Sequence, residues 1–160
     1  MDIRAIFGLS ILVSFAAFGM VTKLYLWPRL RAMERNSALL ALVMPHLFRF
    51  FGLSFLVIGV VSPSLPRELA VPAAYGDLVA ALLAFAAAIA LSRRLSSAIL
   101  LVWVFNVWGT ADLLLAYYHG LTLQLDAGML GAAFYLPTAL VPPLLVTHGL
   151  IFRLLVRARQ

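Results

Sequence analysis

The sequence predicts an all-α, polytopic membrane helix bundle with five transmembrane helices, its N-terminus outside and its C-terminus cytoplasmic. Three observations predict it: the composition, five apolar stretches of spanning length, and the uneven distribution of basic residues among the loops. Of 160 residues, 64% are hydrophobic and 11% charged, where soluble domains carry roughly 25% charged residues. About 20 apolar residues cross the hydrocarbon core as a helix. Five stretches reach that length, at about residues 3–27, 38–61, 72–91, 98–118 and 130–152. They fill the chain, which leaves a single five-helix domain over residues 1–160 and no room for a separate soluble one.

The first stretch reads as a retained helix rather than a signal peptide. Asp2 and Arg4 offset each other, and the apolar run is long. In the second, the helix is expected to stop at the prolines of Ser62-Pro63-Ser64-Leu65-Pro66. Pro72 suits the first turn of the third helix. That third stretch is rich in alanine (Ala80, Ala81, Ala84, Ala86, Ala87, Ala88 and Ala90), so its backbone can approach its neighbours closely. Gly8, Ser10 and Ser14 offer the first helix the same property. The fourth stretch carries Trp103, Trp108 and, at its edge, Tyr117 and Tyr118. The fifth is interrupted by Pro137, Pro142 and Pro143. Residues 119–129 form the longest connection, with few ionisable groups, at the outer interface.

Orientation follows from lysine and arginine. Lys23, Arg29, Arg31, Arg35, Arg93, Arg94, Arg153, Arg157 and Arg159 fall on one side, against Arg4 and Arg67 on the other. Basic loops stay in the cytoplasm, and an odd number of spans gives the termini opposite sides. This pattern is that of a bacterial inner (cytoplasmic) membrane protein. The net charge of +6 is assigned to these loops, not to nucleic-acid binding. The absence of cysteine excludes disulfides, thiolate metal sites and a cysteine nucleophile. No HExxH, GxSxG or glycine-rich phosphate loop is present. No internal repeat marks an inverted-repeat transporter core.

The chemistry lies in the polar groups that the spans keep inside. His46 and Arg49 follow Pro45 in the second span, with Gly52 beyond. Asn106 and Asp112 flank Gly109 in the fourth, and Thr147 and His148 lie in the fifth. Ionisable groups at membrane depth are costly and need partners. Arg49 and Asp112 fall at similar depth, which predicts an Arg49–Asp112 ion pair, with His46, Asn106 and His148 converging on its cytoplasmic side. Trp103 and Trp108 are expected to wall the cavity. Asp77 is read as a favourable charge near the N-terminus of the third helix, His119 as interfacial, and Glu34 and Glu68 as solvated.

Three functions fit. In the first, the polar centre binds or translocates a small ligand, a lipid headgroup or a proton. Arg49 then holds an anionic head and the histidines relay protons. In the second, an enzyme acts on an isoprenoid, sterol or quinone-like substrate, with His46, His148 and Asp112 as acid–base groups and Asn106 or Arg49 stabilising an oxyanion. In the third, the chain is an accessory or assembly subunit of a larger membrane complex, docking through Phe48, Phe50, Phe51 and Phe55. A narrow bundle that transports calls for a homo-oligomer. Expected partners are membrane lipids and a small ligand. No metal is expected and no cofactor is assigned, although His46 and His148 lie on different helices, as axial haem ligands do. A purely structural polar pin is the competing explanation for the whole cluster.

Overall fold

The computed structural model describes residues 2–156, so Arg157 and Arg159 of the basic tail lie outside the described residues. Its regular elements are all helical. Five are long and apolar enough to cross a membrane: α1 (Ile3–Leu30), α2 (Arg35–Leu56), α3 (Arg67–Ser92), α4 (Ala98–Thr122) and α5 (Leu136–Val156). A short 3-10 segment, Ala127–Phe134, links α4 to α5.

Proline sets the irregularities of these helices. α1 passes through a π-turn at Thr22–Leu26 just before Pro28. α5 opens with a π-turn at Leu136–Leu140 just before Pro142 and Pro143. In both places the backbone ladder meets a residue with no N–H. α2 is α-helical over Arg35–Val43, then tightens beside Pro45 into a 3-10 helix over Met44–Leu56. Such a run is long, because 3-10 stretches seldom exceed about four residues. It puts residues three apart directly in line, and His46, Arg49 and Gly52 are buried in one row while Phe48, Phe50 and Phe51 are exposed.

Several boundaries differ from those expected: α4 runs on to Thr122, α5 begins at Leu136 and ends at Val156, and the ends flanking the second connection both move. α2 ends at Leu56, where Val57 turns extended (φ −96°, ψ 107°), ahead of the prolines. The β-branched run of Val57, Ile58, Val60 and Val61 around Gly59 takes the chain out of the helix. α3 begins at Arg67, directly after Pro66, and carries Pro72 in its interior.

α3 is the central helix, packed along α2 and α4. It buries Ala70, Ala73, Ala74, Ala80, Ala81, Ala84, Ala87, Ala88 and Ala90, the small side chains that let its neighbours close in. The hydrocarbon core fills the end of the bundle that carries the basic loops: Leu39, Val43, Ala84, Ala87, Val102, Phe105, Ile151 and Leu154 pack together. At that end the Arg35 guanidinium donates to the carbonyls of Leu154 and Leu155 (3.1 and 2.9 Å). Arg94 bridges to Glu34 at 3.0 Å, and Arg153 lies 4.0 Å over the Trp27 ring. At the N-terminal end, Ser62 N–H donates to Met129 O and Ala132 N–H to Val60 O, both at 2.9 Å. Gly131 is required there: its φ is +52°, and a Cβ would run into the Val60 carbonyl.

α1 stands apart. It leans on α5 and the 3-10 segment, and of its residues only Leu30 is buried.

Candidate functional site

The 3-10 row of α2 aims Arg49 into the middle of the bundle. There the guanidinium meets two carboxylates. Arg49 Nε donates to Asp77 Oδ1 of α3 at 2.7 Å, and Nη2 donates to Asp112 Oδ2 of α4 at 2.5 Å. Nη1 donates to the Gly109 carbonyl at 3.1 Å. Each nitrogen of Arg49 thus already has an acceptor, and its side chain is fully buried while those of Asp77 and Asp112 keep 16% and 13% of their surface.

Three glycines make the arrangement possible, one on each helix. A Cβ on Gly52 of α2 would overlap the Asp77 carboxylate, and one on Gly76 of α3 would overlap the Asp112 carboxylate. A Cβ on Gly109 of α4 would sit 2.8 Å from Arg49 Nη1 and 2.7 Å from the His148 ring. The pattern is cyclic. α3 places its charge on the glycine of α2, α4 on that of α3, and α2 on that of α4.

Next to Arg49, toward the basic end, lies a second polar layer. Asn106 Nδ2 donates to the His148 carbonyl (3.3 Å), which turns its Oδ1 to accept from His148 Nδ1–H (2.7 Å). Thr147 Oγ1 donates to the carbonyls of Leu144 and Pro143, so it accepts from His46 Nε2–H at 2.9 Å. The remaining ring nitrogens, His46 Nδ1 and His148 Nε2, are buried acceptors with no partner among the described residues. The two imidazoles lie 4.2 Å apart, and Phe105 packs on both at 5.0 and 5.2 Å. This spacing does not fit haem. Each metal–imidazole bond alone takes about 2 Å, the ring centre lies farther out, and a porphyrin iron has no room between them. Among the described residues no group of three metal-ligating side chains occurs.

On the other side of Arg49, toward the N-terminal end, a chamber of about 740 Å³ opens. Its floor is Arg49, Asp77 and Asp112. Its walls are one face of α1 (Phe7, Gly8, Ile11, Phe15), the C-terminal part of α4 (Leu113, Ala116, Tyr117, Leu121) and the first turns of α5 (Leu136, Pro137, Leu140, Leu144). Tyr117 Oη donates to the Pro137 carbonyl at 2.7 Å, tying α4 to α5 across the wall. Arg4 and Gln124 stand among the lining residues away from the floor. This size suits a drug-sized or lipid-like molecule, and an apolar pocket with a few convergent polar groups is the usual form of a small-molecule site.

The structure brings together every residue singled out from the sequence: His46, Arg49, Asn106, Asp112 and His148. Four details differ. Asp77 is not a helix-terminal charge. It lies well inside α3 and shares Arg49 with Asp112. Arg49 is ion-paired to two carboxylates, so a group at the floor meets Asp77 and Asp112 as well as the guanidinium. Trp103 packs on Phe152 at 5.8 Å, and Trp108 Nε1 reaches the Gly76 carbonyl at 3.4 Å; neither is among the residues lining the chamber. Asp77 and Gly76 escaped the sequence reading. Their signal was an adjacent Gly-Asp pair within an apolar, alanine-rich stretch.

The family model described as a domain of unknown function, DUF8737, matches residues 6–156. The chain belongs to that family. The five helices, apart from the first residues of α1, and all of the charged floor and the histidine layer fall within the matched region. No curated protein and no solved structure matches the chain.

Proposed function

We propose that this protein holds a lipid-soluble small molecule in the chamber between α1, α4 and α5, with the polar end of that molecule on the Asp77–Arg49–Asp112 floor. We place it in the bacterial inner membrane, with the basic loops cytoplasmic and the chamber in the outer half. The chamber itself carries the reading: mostly apolar walls, lipid-sized volume, and a cluster of three charged groups at its inner end, with Arg4 the one other charged lining residue. A pin that merely joined helices would need no hollow beside it.

Binding is favoured over passage through the bundle. Beyond the floor, the polar layer of His46, Asn106, Thr147 and His148 ends against the packed hydrocarbon of Leu39, Val43, Val102 and Ile151. A second reading shares the chamber. Two carboxylates beside an apolar cavity are acid–base groups that an enzyme acting on an isoprenoid, sterol or quinone-like molecule can use.

Native mass spectrometry of protein gently extracted from its own membrane tests the proposal. A retained molecule of defined mass, lost on Gly8→Trp, is the expected result. A bare protein, or a stoichiometric complex with another membrane protein and no small molecule, would overturn it in favour of an accessory role. Conversion of the retained molecule by the wild type, abolished in Asp112→Asn, would move the assignment to the enzyme.

A further inference from the structure

We propose that the chamber's occupant is an amphiphile whose polar end is a protonated amine, seated between Asp77 and Asp112 with its hydrocarbon against α1 and α5. This rests on the chamber being a binding site, and it names the chemical class that the floor selects.

Charge comes first. The floor joins one guanidinium to two carboxylates, so with all three ionised it carries one surplus negative charge. Burying an uncompensated charge is expensive, and it calls for a counter-charge. The other cation lining the chamber, Arg4, is exposed at the first turn of α1, away from the floor.

Hydrogen-bond valence points the same way. Arg49 satisfies Asp77 Oδ1 and Asp112 Oδ2. Among the described residues no N–H or O–H reaches the other two oxygens, Asp77 Oδ2 and Asp112 Oδ1, which rest against Gly52 and Gly76. What the site lacks is donors and positive charge. An ammonium group supplies three donors and one charge. An ionised carboxylate or phosphate supplies only acceptors, and would meet two carboxylates beside a guanidinium already ion-paired to both. The apolar walls then select a hydrocarbon body over a small hydrophilic amine.

Three probes of one chain length separate the possibilities: dodecylamine, dodecanoic acid and dodecanol, titrated into the protein in phosphatidylcholine nanodiscs, with partition into empty nanodiscs subtracted. The amine is expected to bind about tenfold or more tighter than the alcohol, as charge-assisted hydrogen bonds provide, and the acid weakest. Asp77→Asn and Asp112→Asn should erase the preference for the amine. Gly8→Trp fills the chamber from a position where a Cβ meets nothing within 4 Å, and should weaken amine and alcohol alike.

Equal binding of amine and alcohol would mean that a proton already cancels the surplus charge. Tighter binding of the acid would mean that Arg49 governs the floor. Either result overturns the amine while the sensitivity to Gly8→Trp keeps the chamber. No binding, or binding indifferent to Gly8→Trp, overturns both. If the asparagine variants do not fold, a dodecylamine carrying a diazirine beside its nitrogen decides on the wild type. Labelling of α4 around Asp112 supports the proposal, and labelling confined to the lipid-facing surface overturns it.

Discussion

The two halves of the bundle are built on opposite rules. Toward the basic loops, side chains from α2, α3, α4 and α5 fill the space between the helices, with Leu39, Ala84, Val102 and Ile151 all fully buried. Toward the N-terminus only a smaller core, with Val61, Leu65, Leu69 and Leu130, packs beside a chamber of about 740 Å³, and α1 closes it without burying a side chain along residues 3–26. The charged floor lies where one rule gives way to the other. In a membrane no hydrophobic drive pulls helices together, so a hollow must be held open by something specific. Here three charges locked over three glycines form its floor, and α1 stands off as its outer wall. The comparison separates what closes the bundle, which is small-residue packing, from what keeps it open.

Breaking the floor gives the largest expected effect. Arg49→Ala leaves two buried carboxylates without their cation and should cost about 3–5 kcal/mol, read as a collapse of folded yield and thermal midpoint in detergent. The triple variant Arg49→Met, Asp77→Asn, Asp112→Asn removes all three charges at once. It should recover much of that loss, since neutral replacement of a whole buried ion cluster is often tolerated. If Arg49→Ala alone folds like the wild type, the floor is not what sets the geometry.

A truncation in each half sharpens the comparison next. Ile151→Ala, in the filled half, should cost about 2–5 kcal/mol through the cavity it leaves. Leu140→Ala only enlarges an existing chamber and should cost clearly less. Equal losses at the two positions would erase the distinction between the halves. Gly76→Ala follows, at about 1–3 kcal/mol, because the Asp112 carboxylate can leave its glycine only by breaking its bond to Arg49. Gly8→Ala is the paired control. A methyl there meets nothing within 4 Å, and thermal unfolding should shift by no more than the equivalent of about 0.5 kcal/mol.

The five spans and the convergence of Arg49, Asp112, Asn106, His46 and His148 are legible in the sequence, because length, charge and depth along a helix need only residue spacing. Asp77 is not, for a physical reason. Placing the start of the third helix at Pro72 puts Asp77 close to a helix end, where a carboxylate is unremarkable. α3 instead begins at Arg67 and carries Pro72 inside, which moves Asp77 deeper by more than one turn. The 3-10 form of α2 is also hidden. At 3.6 residues per turn, His46, Arg49 and Gly52 fan out across the surface; at 3.0 they stand in line. Proline beside His46 announces an irregularity but does not say that the ladder tightens for thirteen residues. The chamber is least legible of all, since it arises from how far α1 stands from its neighbours, and that distance has no signature in a single chain.

The cyclic exchange of charges and glycines has a consequence for how the protein assembles. Each charge and the glycine beneath it belong to different helices, so each of α2, α3 and α4 gives a charge to one neighbour and a glycine to the other. Sliding one helix by a single turn would unseat two charges at once. Out of register, the set leaves a carboxylate without its cation. A register error in any one of the three helices therefore costs unpaired buried charge as well as lost packing.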